Sequence, residues 1–474
     1  MQIEDEVAKC FAQSRRALVG AAAGCGKTEL IAKAIGEHPD HRQLVLTHTH
    51  AGVRVLKDRL RKYHIPSKMA RVETLAGFAL RYAASFPRLS SLDIARPTDK
   101  KDWPKVYGAA LQVLGRRSIR RVLLASYYGV YVDEYQDCID ALHEIVVRLA
   151  GILPCRIVGD PLQGIFDFNE PLPSWENQVR NEFPQIAELV VPHRWNGKND
   201  ALGEWLQELR FKLLCGESVS LRNAPIHWNQ STPQNRQNEC FRSLKDHNGS
   251  VSAIFKWPNG CYDLGQKLKG TFACMEPIEC NELMSFAKNI ECDSGPERAG
   301  HVIEFAKSCI ACVTQPLAPF LKKFKDGQRP TSNLGKKCAT LREKLLAVAD
   351  VDDIAAVQAV LHEIRRIPSA RLYRRELWDE GLATLRNHAT PSCAGLSETA
   401  WRVRDRARQH GRRVDHRCLT TTLLVKGLEF DHAIVLNADE LDAKNLYVAM
   451  TRGSRTLTVL SAQPQLNPPA PTFT

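Results

Sequence analysis

Short apolar runs recur along the chain, each closing on polar residues. Residues 17–50 set the pattern: the run ALVG, the glycine-rich turn AAAGCGKT, the segment ELIAKAIGEH, and the run QLVLTHTH. This order predicts strand, turn, helix and strand, the opening of a βαβ unit. Further runs at YGVYVDEY, CRIVGD and LVVPHR are expected as buried parallel strands with a site along their carboxyl ends. A second set, VSAIFKW near 251, HAIVLNA near 432 and TLTVLSA near 456, predicts a second α/β unit.

Helical patterning interrupts both sets. Between about 275 and 415, stretches such as VDDIAAVQAVLHEIRRI place apolar residues three and four apart, which predicts an inserted helical subdomain. A smaller basic helical insertion is expected over 80–125. The expected organisation is therefore 1–79 with 126–195 as the first α/β unit, 80–125 as its insertion, 196–274 with 416–463 as the second, and 275–415 as the larger insertion. The proline-rich end, 464–474, is expected to be an extended tail.

The 474 residues exceed what one hydrophobic core supports. Lys and Arg number 65 against 53 acidic residues, a formal charge of +12, which suits a polyanionic partner such as nucleic acid. The first residues, MQIEDEVAKC, lack the basic start and apolar core of a signal peptide, and no apolar run is long enough to span a bilayer, so a cytoplasmic, membrane-free location is expected. Fifteen cysteines without framework spacing read as reduced thiols; Cys309 and Cys312 form one C-x-x-C, a metal site only if further ligands join them.

The turn AAAGCGKT, Ala21 to Thr28, has the spacing of a phosphate-binding loop. Bare backbone there lets successive N–H groups of Ala22, Ala23, Gly24, Cys25, Gly26, Lys27, Thr28 and Glu29 surround nucleotide phosphates, at the start of a helix whose dipole adds positive potential. Lys27 would neutralise the outer phosphates. Thr28 and Asp133 would hold Mg²⁺, while Glu134 would orient and activate the attacking water. A chance glycine turn and a solvated Asp-Glu strand end explain each motif alone, but not both together following apolar strands.

In motif order, the chain resembles superfamily 1 helicases of the UvrD/Rep type. AAAGCGKT, LTHTHAGVRVL (46–56), VETLAGFALRYA (72–83), VDEYQD (132–137), IVGDPLQGIFDF (157–168), VPHRW (191–195), VKGLEF (425–430) and YVAMTRG (447–453) follow one another as that family's motifs do. The resemblance implies two RecA-like P-loop NTPase domains with parallel sheets, each with an inserted mainly helical subdomain, ATP and Mg²⁺ as cofactors, and 3′-to-5′ movement on single-stranded or tailed duplex DNA. It implies that Gln163 senses the γ-phosphate or the attacking water, that Gly427 and Glu429 meet the nucleotide, Glu429 at its ribose, and that Arg194 and Arg452 are arginine fingers delivered from the second unit as the cleft closes. Thr47, Thr49, His50 and Thr74 would lie along the DNA backbone, and Phe166 and Phe168 would supply a stacking aromatic.

The chain also departs from that pattern. His193 stands where the family has a tyrosine over adenine, Leu423 and Leu424 stand where it has a polar pair touching DNA, and Asn169 replaces an arginine. The leucines favour an alternative in which ATP hydrolysis switches a partner rather than unwinding DNA. Size and motif layout also resemble the helicase subunits of Gabija-type antiphage systems, which implies a separately encoded nuclease partner. The run WRVRDRARQHGRRVDHR (401–417) is open to two readings, a phosphate-binding surface or a solvated helix face.

Overall fold

The computed structural model describes residues 2–93, 97, 100–166, 171–246, 248–277, 280–330, 339–351, 353–388, 395–410, 414–471 and 473. These form two compact units: Met1–His227 with Asp439–Thr456 and Gln463–Thr474, and Trp228–Ala438 with Leu457–Ala462. Among the described residues no helix is long and apolar enough to cross a membrane.

The first unit is built on six strands, β1 (Arg16–Ala21), β2 (Gln43–Thr47), β3 (Ala70–Thr74), β4 (Gly129–Val132), β5 (Cys155–Gly159) and β6 (Gln185–Leu189), in the order β3-β2-β4-β5-β1-β6. Every pairing is parallel. Alternation divides the apolar residues between two faces. Leu18, Leu44, Leu46, Val130 and Ile157 enter one cluster, which also holds Phe78 and Tyr82 of helix α4 (Leu75–Ser85), and Val106, Ala110 and Val113 of helix Trp103–Leu114. Val19, Val45, Tyr131 and Val158 enter the other, beneath α1 (Gln2–Gln13), α2 (Lys27–Gly36) and α3 (His50–Lys62). The smaller insertion thus shares the core of one sheet face.

One apolar run behaves differently from its pattern. Residues 189–191 are not a central strand: β6 ends at Leu189, Val190 and Val191 are exposed, and Ile186 within β6 is exposed too. The reason is position, since β6 is an edge strand covered on fewer sides.

The second six-stranded sheet comprises β7 (His227–Gln230), β8 (Val251–Phe255), β9 (Ala273–Cys274), β10 (Arg417–Thr421), β11 (Phe430–Val435) and β12 (Gly453–Ser461), ordered β9-β10-β8-β11-β12-β7. The pairs β9–β10, β10–β8 and β8–β11 are parallel. The fold class is therefore α/β, two parallel six-stranded sheets flanked by helices, as the pattern predicts. Helices between Asn281 and His410 bury a separate cluster that includes Phe286, Ile303, Phe320, Val360 and Trp378.

A buried ion-pair network lies between that helical insertion and the second sheet. Glu276, fully buried just after β9, accepts from Arg374 Nε at 2.8 Å and Nη2 at 2.6 Å, and the guanidinium lies 3.8 Å from the Tyr262 ring centroid. Arg404, from the arginine-rich run, is 7% exposed and pairs with Glu380 and Glu376. That arginine is neither a solvated face nor open to phosphate. Cys309 is buried and Cys312 exposed, and no group of three or more metal-ligating side chains occurs among the described residues.

Candidate nucleotide site

At the carboxyl end of β1 the chain turns through two glycines with left-handed backbone, Gly24 (φ 72°) and Gly26 (φ 84°), before α2 begins at Lys27. An L side chain rarely adopts either conformation. At Gly24 packing forbids one as well: a Cβ would lie 2.7 Å from the Trp195 ring and 2.8 Å from Arg194 Cβ. Ala22 and Ala23 are buried behind the turn, and the Ala23 N–H donates to the Tyr447 hydroxyl at 3.0 Å. Burial, reinforced by the Asp160 charge, pushes the Cys25 thiol up to about 12, so it remains neutral.

The carboxylates meet this turn. Lys27 Nζ lies 3.4 Å from Glu134 Oε2, and Thr28 Oγ1 donates to Asp133 Oδ2 at 3.4 Å. Asp133 follows β4 directly, its N–H donating to Leu46 O of the neighbouring strand at 2.8 Å. Burial, reinforced by the Glu134 charge and opposed by Lys27, pushes the Asp133 carboxyl up to about 7. A buried carboxylate beside a threonine hydroxyl is a hard-oxygen donor set that fits a magnesium ion, whose charge would favour the ionised form. Glu134 holds a left-handed backbone (φ 54°), rare for a side-chain-bearing residue and the kind of strain that clusters at functional sites.

Behind Glu134 runs a continuous polar chain. Gln136 Nε2 donates to Glu134, and Gln136 Oε1 accepts from the Asp160 N–H at 3.0 Å. Asp160, fully buried, accepts from Gln163 Nε2 at 2.9 Å and from Arg210 Nη2 at 3.2 Å; Arg210 also pairs with Glu188 at 2.8 Å. Gln136, Asp160 and Arg210 escaped the sequence expectation: a glutamine and an aspartate inside matched motifs were legible, whereas Arg210 carries no local signal.

Arg194 donates through Nη1 to Thr451 O at 2.5 Å. Trp195, fully buried, donates Nε1–H to Gly453 O at 2.8 Å. Arg452 is 2% exposed and donates to Val448 O and Thr451 Oγ1, each at 2.8 Å. Both arginines belong to the first unit, where delivery from the second was expected. The cause is the segment Asp439–Thr456, bound to the phosphate-loop unit through Tyr447, Thr451 and Gly453.

Toward the chain's start, His193 Nε2 lies 2.5 Å from Glu4 Oε1, with its Cδ2 3.6 Å from where a Gly26 Cβ would stand. Glu29 pairs with Arg59 at 3.1 Å and accepts from the Tyr63 hydroxyl; burial opposes its ionisation, but these two partners outweigh it and hold the carboxyl below the usual range. Gly427 (φ 78°) and Glu429 lie in the second unit, in the turn before β11.

The expected strand-contact residues fall at the ends of β2 and β3. Thr47 and Thr74 are register partners across the two strands. Thr49 caps α3, accepting from Gly52 N at 3.0 Å, and Thr74 caps α4 likewise from Gly77 N at 3.0 Å. In each case a glycine stands three residues after the capping threonine: a Cβ at Gly77 would lie 2.8 Å from Thr74 Oγ1, and one at Gly52 would lie 3.3 Å from Thr49 Oγ1 and 2.8 Å from Thr47 Oγ1. Thr47 is 1% exposed and His50 is exposed. Phe166 is partly buried after β5, whereas Phe168 and Asn169 lie outside the described residues.

No family model matches the chain, and no curated protein matches it. Among solved structures it is similar to the Pif1 helicase from Candida albicans, with 11% identity over 96% of this chain and 94% of that chain and a TM-score of 0.42.

Proposed function

We propose that the chain is a nucleic-acid-dependent ATPase of the superfamily 1 helicase type, hydrolysing ATP to move along single-stranded DNA. One observation carries this reading: Lys27, Thr28, Asp133 and Glu134 meet within 3.4 Å at the carboxyl edge of a parallel sheet, at the start of a helix. Thr28 and Asp133 would hold Mg²⁺, which supplies charge neutralisation at the phosphates when bound. Backbone N–H groups from Ala22 to Glu29 bind phosphate oxygens. Lys27 neutralises the outer phosphates. Glu134, held by Gln136, orients the attacking water and accepts its proton. Gln163 senses the terminal phosphate, Arg194 and Arg452 favour its developing charge, and His193, Gly427 and Glu429 border the base and ribose.

Thr47, Thr49, His50, Thr74, Phe166 and Phe168 are proposed to meet the DNA strand, moved 3′ to 5′. The proposed division into RecA-like cores and insertions is 1–79 with 126–195, 80–125, 196–274 with 416–463, and 275–415, although residues 196–227 and 439–456 pack within the first compact unit. A place in DNA repair or phage defence, beside a separately encoded nuclease, is part of this proposal. Leu423 and Leu424 favour a second reading, a helicase-like ATPase that switches its partner with little unwinding.

Measuring ATP turnover with and without single-stranded DNA, RNA and duplex tests the core claim. Stimulation by single strands and loss of turnover in Lys27→Ala are expected. Turnover indifferent to every nucleic acid would refute the motor, and strong processive unwinding of a tailed duplex would refute the switch.

A further inference from the structure

The second unit's sheet presents an aromatic that the motifs leave unassigned. All eight tryptophans are described, and only Trp257 is exposed, at 61%. It stands two residues past the end of β8, the strand between β10 and β11, where Phe255 is in register with Thr421. In open parallel sheets this carboxyl edge is where ligands bind.

The backbone under Trp257 is fixed while its ring stands exposed. Trp257 occupies the N-cap of helix Pro258–Lys267, with extended backbone (φ −118°) and no side-chain capping bond. Pro258 sets the first helical φ, and Gly260 lets that turn approach so closely that a Cβ would lie 3.0 Å from the Phe255 ring. Exposing so large an apolar ring forfeits the gain from burying it, which makes an exposed tryptophan on a rigid mount an informative feature. A cation stands beside it: Lys256 Nζ lies 5.6 Å from the Trp257 ring centroid. On the neighbouring strand's edge, the turn Thr422–Val425 bears Leu423 and Leu424, which have no polar side-chain atoms for holding a phosphate.

We infer that Trp257 is a stacking platform for an unpaired nucleobase, with Lys256 taking the adjoining phosphate. An indole face stacks on any base, so it grips a strand without reading sequence, and a neighbouring ammonium matches the strand's charge. A protein partner would need a wider apolar surface than this single ring with a lysine beside it. The assignment rests on the nucleic-acid reading above and deepens it: a motor of two units needs a hold on the strand in each, and stacking supplies it where the leucines leave no polar contact.

The test is fluorescence anisotropy of a labelled single-stranded oligothymidylate with the full chain, as wild type, Trp257→Ala and Trp257→Phe, each checked for an unchanged unfolding temperature. Loss of the ring should weaken binding on the order of tenfold or more, and phenylalanine should restore most of it. Stacking involves no counterion release, so the dependence of log K on log salt should keep its slope in Trp257→Ala while the whole line drops. Wild-type affinity in Trp257→Ala, with the wild type binding normally, would overturn the platform alone and point to a protein partner for that ring. A changed slope would overturn stacking in favour of a phosphate contact. Failure of the wild type to bind the strand would overturn both this assignment and the reading it rests on.

Discussion

Alanine at Gly24 and alanine at Gly26 should have different consequences, although both glycines sit in the same turn with left-handed backbone (φ 72° and 84°). The conformational penalty is shared, about 1–2 kcal/mol for a residue bearing a Cβ. Space separates them. At Gly26 the nearest atom to a new Cβ, His193 Cδ2, is 3.6 Å away, an ordinary contact. At Gly24 the Cβ meets the Trp195 ring at 2.7 Å and Arg194 Cβ at 2.8 Å, and Trp195 cannot swing aside because it is fully buried and bonded to Gly453 O. Overpacking of that kind costs about 1–3 kcal/mol more. Since 1 kcal/mol moves Tm by about 2–4 °C in a unit of this size, Gly24→Ala should unfold about 2–12 °C below Gly26→Ala. Differential scanning calorimetry without nucleotide measures this directly. Turnover should also suffer more in Gly24→Ala, because the displaced neighbour is Arg194. Equal melting of the two variants, or greater loss at Gly26, would refute the packing argument.

Glu134→Gln should lower turnover by about 10²–10⁴-fold while a fluorescent ATP analogue still binds; near-wild-type single-turnover rates would mean another group activates water. Thr49→Ala and Thr74→Ala should each cost about 1 kcal/mol in urea unfolding through loss of a helix cap, and an unchanged midpoint would show that the caps contribute nothing. Arg374→Met should destabilise the second unit by about 3–5 kcal/mol by stranding the buried Glu276, whereas adding Glu276→Leu should recover much of it; strictly additive losses would argue against the pair. Single-strand affinity should fall with salt at a log–log slope of about −0.7 per phosphate contacted, and a flat response would remove the phosphate contacts from the proposal.

Features carried by local patterns were legible in the chain. The strand, glycine turn and helix of residues 16–36, and the carboxylates following β4, announce themselves because their chemistry needs particular residues at fixed spacing. The run at 189–191 misled, since apolar letters do not say whether a strand lies at an edge or in the middle of its sheet. Arg404 misled in the opposite sense: the seven arginines of 401–417 look solvated, yet this one is buried against Glu380, contributed by another helix. Tyr447, Trp195 and Arg210 stayed hidden because their partners are distant in sequence, and Trp257 because a tryptophan after an apolar strand ordinarily reads as core.

The bond between the Ala23 amide and the Tyr447 hydroxyl spans 424 positions. Translation proceeds from the amino end, so the phosphate turn is made 424 residues before the hydroxyl that its Ala23 amide reaches. A prematurely terminated product ending before residue 447 would carry the motif in full and still leave that amide without its phenol. The turn's hydrogen bonding is thus completed only once residue 447 has been made, a coupling that arises from chain order alone.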